Sequence, residues 1–296
     1  MDLSVIIVNW NTKKLLENCL SSILKFTKGL SFEVIVIDND SSDGSQAMLK
    51  KKFPQVKLIL NNQNLGFSKA NNQGIKKAKG QYIFLLNSDT YLVENSFKKL
   101  LTNIKSRSKL GVIAPQLLNE NQTIQQSAGY FPHLPQIFFW MSFLDDLPIG
   151  MLFKPYHIDH DSFYKNGQQI DWVTAAALMI PKKVIDEVGL LDPQIFMYGE
   201  EVEWCYRIKK AGYKIYFSPI TKIIHIGRGS HKKIPTQAFI GEYKSLIYFY
   251  KKYKSKFALQ ILKLLLKIGA LARVIIFGVL GRKKLAKSYV EAFKVV

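Results

Sequence analysis

Cysteine is scarce in this chain of 296 residues, which contains only Cys19 and Cys205. Two thiols build neither a disulfide framework nor a set of zinc ligands, and they fit a reducing compartment. Residues 1–8 also lack the basic segment and the small-residue cleavage site of a secretory signal peptide. We therefore expect these residues to form a first strand, and the protein to act in the cytoplasm.

The chain has no long apolar run free of charge. Its most apolar part, 257–280, is interrupted by Lys263, Lys267 and Arg273, whereas a membrane-spanning helix needs about 20 nearly uncharged residues. We therefore predict an amphipathic helix that lies in the membrane interface. Two alternatives stay open, namely a helix packed on the main domain of the protein and a tilted spanning helix.

Acidic residues are almost absent from the same region. The net charge of the chain is +20, and residues 244–296 contribute +12, because they hold 13 Lys or Arg against the single acid Glu291. A basic segment beside apolar residues favours anionic lipid headgroups as a partner. Nucleic-acid binding is not expected, because no nucleic-acid motif is present. One function class that this charge leaves open is a basic membrane-binding protein without catalytic activity.

The first 90 residues alternate short apolar strands with segments of helical period. Strands are predicted at 3–8, 32–37, 56–60 and 82–86, and helices around 15–23, at 46–52 and at 67–77. This alternation predicts an α/β fold whose central sheet is mostly parallel, with helices on both faces. Residues 119–170 are rich in proline and aromatic residues without a clear period, which indicates an irregular region beside a binding site.

Polar clusters follow two of the predicted strands. Asn87, Ser88 and Asp89 come directly after 82–86, and the carboxyl edge of such a sheet is where ligands bind. A carboxylate there suits a divalent cation that bridges phosphates, although a helix N-cap explains the same residues. Asp38 and Asp40 follow the strand 32–37, where an acid can bind a nucleotide base or ribose or cap an Asx turn.

Three further clusters carry candidate chemistry. Asn64 and Gly66 precede a predicted helix, whose free N–H groups can bind a phosphate or a sugar oxygen. Glu200, Glu201 and Glu203 stand at another helix start, where acids favour the helix dipole. Carboxylates this close raise at least one pKa, which suits a general base. In the third cluster, His225 and Arg228 with two neighbouring glycines fit a diphosphate. Alternatively, His225 is a structural histidine at the end of a strand whose hydrogen bonds are satisfied within the protein.

Together these motifs resemble inverting glycosyltransferases of family 2, in the branch that includes bacterial rhamnosyltransferases. The resemblance covers about residues 3–230 and implies a GT-A fold, a nucleoside-diphosphate-sugar donor and a Mg²⁺ or Mn²⁺ ion. The matching segments are Val5-Ile6-Ile7-Val8-Asn9-Trp10-Asn11, Val36-Ile37-Asp38-Asn39-Asp40-Ser41-Ser42-Asp43-Gly44-Ser45, Asn64-Leu65-Gly66-Phe67, Leu86-Asn87-Ser88-Asp89-Thr90 and Tyr198-Gly199-Glu200-Glu201-Val202-Glu203.

The resemblance also implies roles for individual residues. Asp89 matches the last position of the family's metal-binding Asp-X-Asp motif, Asn87 stands at its first position, and His225 matches a histidine near the diphosphate and metal. Glu201 matches the catalytic base, with Glu200 as the second candidate. The expected nucleotide-sugar-binding residues are Val8, Asn9, Asp38, Asp40, Asn64, Gly66, Asn87, Ser88, Trp172 and Arg228.

The activity implied is transfer of a sugar, with inversion, to a saccharide hydroxyl in cell-surface polysaccharide synthesis. dTDP-rhamnose is favoured as donor over UDP-sugars, and the expected acceptor is a lipid-linked saccharide. Trp172 and the aromatic region 119–170 are expected to line the acceptor site, because aromatic rings stack on sugar faces. We predict a catalytic domain at 1–235 and a basic helical extension at 236–296, which holds the enzyme on the inner face of the cell membrane.

Overall fold

The computed structural model describes residues 1–145, 147, 153–227 and 236–296. Its strands β1 to β12 are Leu3–Asn9, Phe32–Asn39, Lys57–Asn61, Tyr82–Asn87, Thr90–Leu92, Leu110–Leu118, Ile124–Gln125, Ala128–Gly129, Gln168–Ile170, Trp172–Val173, Ala177–Pro181 and Lys214–His225. Its helices α1 to α10 are Lys13–Phe26, Ser45–Lys52, Phe67–Lys77, Ser96–Lys105, Leu134–Met141, Lys182–Val188, Glu200–Lys210, Thr236–Tyr253, Lys256–Val279 and Lys283–Lys294. A short 3-10 helix, Phe163–Lys165, lies between α5 and β9.

One central sheet organises the protein. Its strand order is β3-β2-β1-β4-β11-β6-β12-β5, with β7 added on β6 and β9 on β12. The pairs β3–β2, β2–β1, β1–β4 and β12–β6 are parallel, whereas β11 runs antiparallel to both of its neighbours. The predicted mostly parallel α/β architecture is confirmed.

Alternating side chains place helices on both faces of the sheet. On β1, Val5 and Ile7 join a core with apolar residues of α1, α2 and α4. Ile6, between them in sequence, faces the other core with Ala70 and Ile75 of α3. This alternation follows from the two-residue period of a strand, and it confirms the predicted layers of helices.

Strand β12 is long but not uniform. Its pairing with β6 has an irregular register between Ser218 and Lys222. The strand keeps its pairing because β6 continues alongside it on both sides of this irregularity. Its end pairs His225 with Thr90 of β5. The topology thereby brings His225 next to the polar residues that follow β4.

The C-terminal helices pack on the rest of the protein. Tyr243, Leu246 and Tyr250 of α8 are buried in the same core as β1 and α3. One face of α9 is buried as well, where Arg273 donates hydrogen bonds to the carbonyl oxygens of Trp140 and Met141. Across the described ranges, no helix is both long and apolar enough to cross a membrane. The division at residue 235 stays a prediction, and this core extends across it.

Candidate active site

A cavity of about 1550 Å³ opens at the carboxyl ends of β1 and β4. Of the predicted site residues, seven line it: Val8, Asn64, Gly66, Asn87, Ser88, Asp89 and His225. Their convergence follows from the parallel pairing of β1 with β4, which brings the two polar strand ends to one edge. Sequence reasoning missed the neighbouring lining residues Trp10, Asn11, Thr12, Asn39, Phe196 and Tyr198. Arg228 lies outside the described residues.

Three polar side chains meet at one corner of the cavity. Nε2 of His225 lies 3.2 Å from Oδ1 of Asp89 and 3.3 Å from Nδ2 of Asn87. The other ring nitrogen, Nδ1, lies 2.5 Å from the amide oxygen of Gln125. That oxygen only accepts, so Nδ1 carries a proton and Nε2 is the ring nitrogen that faces the corner. This arrangement suits a metal-ligating histidine.

The corner fits a metal ion that is shared with a substrate. In the part of the chain that the structure describes, no three His, Cys, Asp or Glu residues form a complete metal cluster. A hard divalent ion in a phosphate-transfer or sugar-transfer site needs only one or two protein ligands, because phosphates and water supply the rest. Asp89 and His225 can provide those two ligands, whereas a closed structural zinc site would need about four.

Two predicted residues at the end of β1 and β2 are turned inward. The carboxylate of Asp38 is fully buried and accepts hydrogen bonds from Asn9 Nδ2 (2.7 Å), Ser41 N (2.9 Å) and Gln46 Nε2 (2.8 Å). Neither Asp38 nor Asn9 lines the cavity, and the exposed Asp40 does not line it either. In this structure Asp38 holds the β1 and β2 loops in place, and its contact with a nucleotide base stays a prediction.

Gly66 is required by its surroundings. Its φ is +82°, and a Cβ there would lie 2.6 Å from the carbonyl oxygen of Phe196. The same carbonyl accepts the N–H of Phe67 at the start of α3, at 2.7 Å. The expectation that this helix start offers free N–H groups to a phosphate is therefore wrong for Phe67, because the loop before α7 occupies its donor.

Glu200 and Glu201 begin α7, directly after the left-handed residues Tyr198 and Gly199. Burial, reinforced by the charge of Glu201, raises the pKa of Glu200 well above its usual value. Burial is also the largest cause that raises the pKa of Glu201, and the charge of Glu242 adds to it. One oxygen of Glu200, Oε2, is buried without a hydrogen-bond partner in the described structure.

Tyr198 connects this carboxylate pair to the cavity. Neither Glu200 nor Glu201 lines the cavity, but Tyr198 does. Burial raises the pKa of the Tyr198 phenol, and the negative charges of Glu200, Asp89 and Glu201 raise it further. The predicted base candidates and the predicted metal ligand therefore all lie within electrostatic range of one cavity side chain.

Trp172 is a correction to the predicted ligand-binding residues. Its indole is buried and its Nε1 donates hydrogen bonds to the carbonyl oxygens of Tyr130 and Tyr156, at 3.1 and 3.2 Å. The ring packs against Tyr156 and His157, with centroids 5.8 and 5.5 Å apart. Its polar atom is satisfied internally and its faces are covered, so it cannot stack on a sugar. No described residue of 119–170 lines the large cavity either.

Helix α8 supplies the opposite wall of the cavity, which sequence reasoning also missed. Gln237, Gly241, Lys244, Tyr248 and Lys251 all line it. These positions recur every three or four residues and so form one face of the helix. Ser245 Oγ donates to the carbonyl oxygen of Tyr198, which joins α8 to the turn before α7. The helical period was visible in the sequence, but the surface that this face meets was not.

Comparisons with known proteins identify the family of this chain. The model of the family described as "Glycosyl transferase family 2" matches residues 4–162. Among relatives, the low-salt glycan biosynthesis hexosyltransferase Agl10 of Haloferax volcanii is 28% identical over 76% of this chain and 67% of its own length. The N-acetylglucosaminyl-diphospho-decaprenol L-rhamnosyltransferase of Mycobacterium tuberculosis is 22% identical over 83% of both chains.

Solved structures share the fold. The mannosyltransferase PcManGT from Pyrobaculum calidifontis, in complex with GDP-Man and Mn²⁺, superposes with a TM-score of 0.57 at 14% identity, over 98% of this chain and 85% of that chain. GalNAc-T7 with UDP, GalNAc and Mn²⁺ gives 0.58 at 20% identity, over 84% and 50%. The predicted GT-A fold is confirmed, and the match over more than half of the chain assigns the family. The protein belongs to glycosyl transferase family 2 and has bacterial rhamnosyltransferases among its relatives.

Proposed function

We propose that the protein transfers a sugar, with inversion, from a nucleoside-diphosphate-sugar to a hydroxyl group of a lipid-linked saccharide. The observation that carries this proposal is the meeting of Asn87, Asp89 and His225 on the cavity wall, close to the carboxylate pair that begins α7 after the cavity residue Tyr198. A glycosyl transfer needs a site for the leaving diphosphate and a base for the acceptor hydroxyl. The candidate metal ligands line the cavity, and the candidate bases begin α7 directly after Tyr198 and Gly199 at its edge.

Asp89 and His225 would hold Mg²⁺ or Mn²⁺ together with the donor diphosphate, and the ion when bound would neutralise the charge that develops on the leaving group. Asn87 supports this corner, because its Nδ2 lies next to Nε2 of His225. Two neighbours in the fold are described with Mn²⁺ and a nucleotide, which supports a divalent ion here. Val8, Asn64 and Ser88 line the donor side of the cavity.

Glu201 is the proposed base. Its carboxylate takes the proton from the acceptor hydroxyl while that oxygen attacks the anomeric carbon. The bond from this carbon to the diphosphate oxygen breaks, and its electron pair leaves with the nucleoside diphosphate. Attack from the face opposite the leaving group inverts the anomeric configuration. A pKa raised by burial suits a base that works near neutral pH.

The size of the cavity and its α8 wall support the acceptor. One small-molecule site commonly occupies roughly 300–1,000 Å³, so a cavity of about 1550 Å³ has room for two substrates. Lys244 and Lys251 give the α8 wall positive charge, which suits an acceptor that carries phosphate. One relative is named for a diphospho-decaprenol acceptor and an L-rhamnosyl group. These features favour a lipid diphosphate saccharide as acceptor and dTDP-rhamnose as donor.

A thermal-shift experiment with dTDP, UDP, GDP and CMP, each with and without Mn²⁺, tests this proposal. We expect dTDP to raise the melting temperature in a metal-dependent way. Asp89→Asn should abolish the metal-dependent part of the shift, whereas Asp186→Asn on the exposed side of α6 should keep it. A rise in melting temperature with UDP and with no other nucleotide would indicate a UDP-sugar as the donor instead of dTDP-rhamnose. No shift with any nucleotide would contradict the transferase site.

A further inference from the structure

Helix α9 carries a continuous apolar stripe on its outer face. The side chains of the stripe are all more than half exposed, and Val279 reaches 83%. Their positions are separated by three, four or seven residues, so they lie along one side of the helix. The stripe consists of Phe257, Leu264, Ile268, Leu271, Ile275 and Val279.

The opposite face of α9 is already occupied. Leu262, Leu266 and Ala270 are fully buried against the protein core, and Arg273 is tied to the carbonyl oxygens of α5. The stripe is therefore separate from the face by which α9 packs on the rest of the protein. An exposed apolar patch of this extent on a folded protein indicates an interaction site.

Charge around the stripe identifies the partner. Lys256 and Lys267 flank it on α9, and Arg282, Lys283, Lys284 and Lys287 follow at its C-terminal end, all of them exposed. Residues 256–296 contain nine Lys or Arg and one acidic residue. A second copy of the chain would bring the same positive charge against this rim and would be repelled. An anionic bilayer surface accepts both the apolar stripe and the cations.

We propose that the exposed stripe of α9 lies in the interface of an anionic membrane, with the helix parallel to the bilayer plane. The 24 residues of α9 span about 36 Å at 1.5 Å per residue. The buried face of α9 packs on the rest of the protein, so a helix held at the membrane would hold the whole protein there. Phe293 of α10 is also exposed, and Nζ of Lys267 on α9 lies 5.7 Å from the centroid of its ring. This surface is independent of the reaction proposed above.

Vesicle flotation of the full chain tests the proposal. We expect binding to phosphatidylcholine vesicles that contain phosphatidylglycerol, weaker binding to phosphatidylcholine alone, and a loss of binding as salt is raised. Replacing four stripe residues should lower the affinity for anionic vesicles by about tenfold or more. The variant is Leu264→Gln, Ile268→Gln, Leu271→Gln and Ile275→Gln.

Two matched variants separate the stripe from general effects. Four exposed apolar residues elsewhere, replaced as Leu24→Gln, Leu60→Gln, Val93→Gln and Ile220→Gln, should leave vesicle binding unchanged. Removing three rim charges, as Lys283→Gln, Lys284→Gln and Lys287→Gln, should weaken binding. The same charge loss at Lys14, Lys50 and Lys51 on the catalytic part should weaken it far less. Circular dichroism confirms that each variant is folded.

Two results would overturn the proposal. The first is vesicle binding by the stripe variant that equals binding by the unchanged protein. The second is a protein that ignores vesicles and is a dimer by light scattering, with the stripe variant monomeric, because the stripe would then be covered by a second copy.

Discussion

Nε2 of His157 lies 2.7 Å from a carboxylate oxygen of Glu242, and the charges of both residues act on Glu201. Burial opposes protonation of His157, but the charge and hydrogen bond of Glu242 outweigh burial and raise its pKa. Glu242 raises the pKa of Glu201, and His157 lowers it to a smaller extent. The pair therefore tunes the pKa of the proposed base through its charges.

The two members of this pair should shift the pH dependence of the reaction in opposite directions. A base works when it is deprotonated, so kcat/KM should rise as pH increases through the pKa of Glu201. Glu242→Gln removes the larger influence and should move the acidic limb of the profile to lower pH. His157→Gln should move it to higher pH. Identical profiles for both variants would show that Glu201 is not the titrating base.

Glu201→Gln should reduce kcat by about 10²–10⁴-fold, the usual contribution of a general base, with nearly unchanged donor binding. Glu200→Gln is the matched comparison on the adjacent position. Its effect should be smaller on kcat, and it should stabilise the fold, because the amide replaces a buried carboxylate that has an unpartnered oxygen. Steady-state kinetics with donor titration measures both. A larger loss of kcat in the Glu200 variant than in the Glu201 variant would indicate that Glu200 is the base.

Lys244→Gln combined with Lys251→Gln should raise KM for a phosphate-bearing acceptor by about tenfold, while KM for the donor changes little. The physical reason is the loss of two charges on the cavity wall that α8 supplies. Lys50→Gln combined with Lys51→Gln removes the same charge from the exposed part of α2 and serves as control. An equal rise in donor KM would assign these lysines to the donor diphosphate.

Gly66→Ala should destabilise the protein by roughly 1–3 kcal/mol, since a non-glycine residue at this φ is strained and its Cβ meets the carbonyl of Phe196. Gly212 has a φ of +87° but no atom within 4 Å of an added Cβ. Gly212→Ala therefore reports the backbone strain alone. Urea denaturation should rank Gly66→Ala as the more costly change, and equal costs would show that the contact with Phe196 is unimportant.

Glu203→Gln should cost about 3 kcal/mol at neutral pH, the usual loss when a buried ion pair is broken. Burial opposes its ionisation, but Arg207, Lys252 and Tyr253 outweigh burial and lower its pKa. Stability from this group is present above the unfolded pKa and is lost as pH falls through the folded pKa. The loss in free energy of unfolding caused by Glu203→Gln should therefore become smaller at acidic pH. Glu17→Gln, which breaks the exposed pair with Lys52, should cost under about 1 kcal/mol.

Local patterns in the sequence were sufficient for the elements of the sheet and its helices. Helix α3 has the predicted bounds of 67 and 77, because its apolar period and the preceding glycine are both local signals. Polar residues after β4 also met at the cavity as expected, since parallel strands end at one edge. These predictions depend on neighbours in sequence, or on a general rule of sheet topology.

The remaining features depend on contacts between distant residues. From the sequence alone, Trp172 could stack on a sugar or pack in a core. The structure shows the second, because the carbonyl oxygens of Tyr130 and Tyr156 accept hydrogen bonds from its indole N–H. Similarly, α8 has a visible helical period, but only the folded chain shows that one face lines the cavity. The carbonyl of Phe196 reaches α3 from 129 positions away along the chain, and no local signal indicates this contact.

Both thiols of the protein are buried, and burial raises the pKa of Cys19 and of Cys205 to about 12. Neither is therefore a thiolate near neutral pH, and neither is accessible to a maleimide. A single cysteine introduced at the exposed Ile275 would react far faster than the two native ones. An environment-sensitive fluorophore attached there would report directly whether this helix enters lipid, without removal of either natural cysteine.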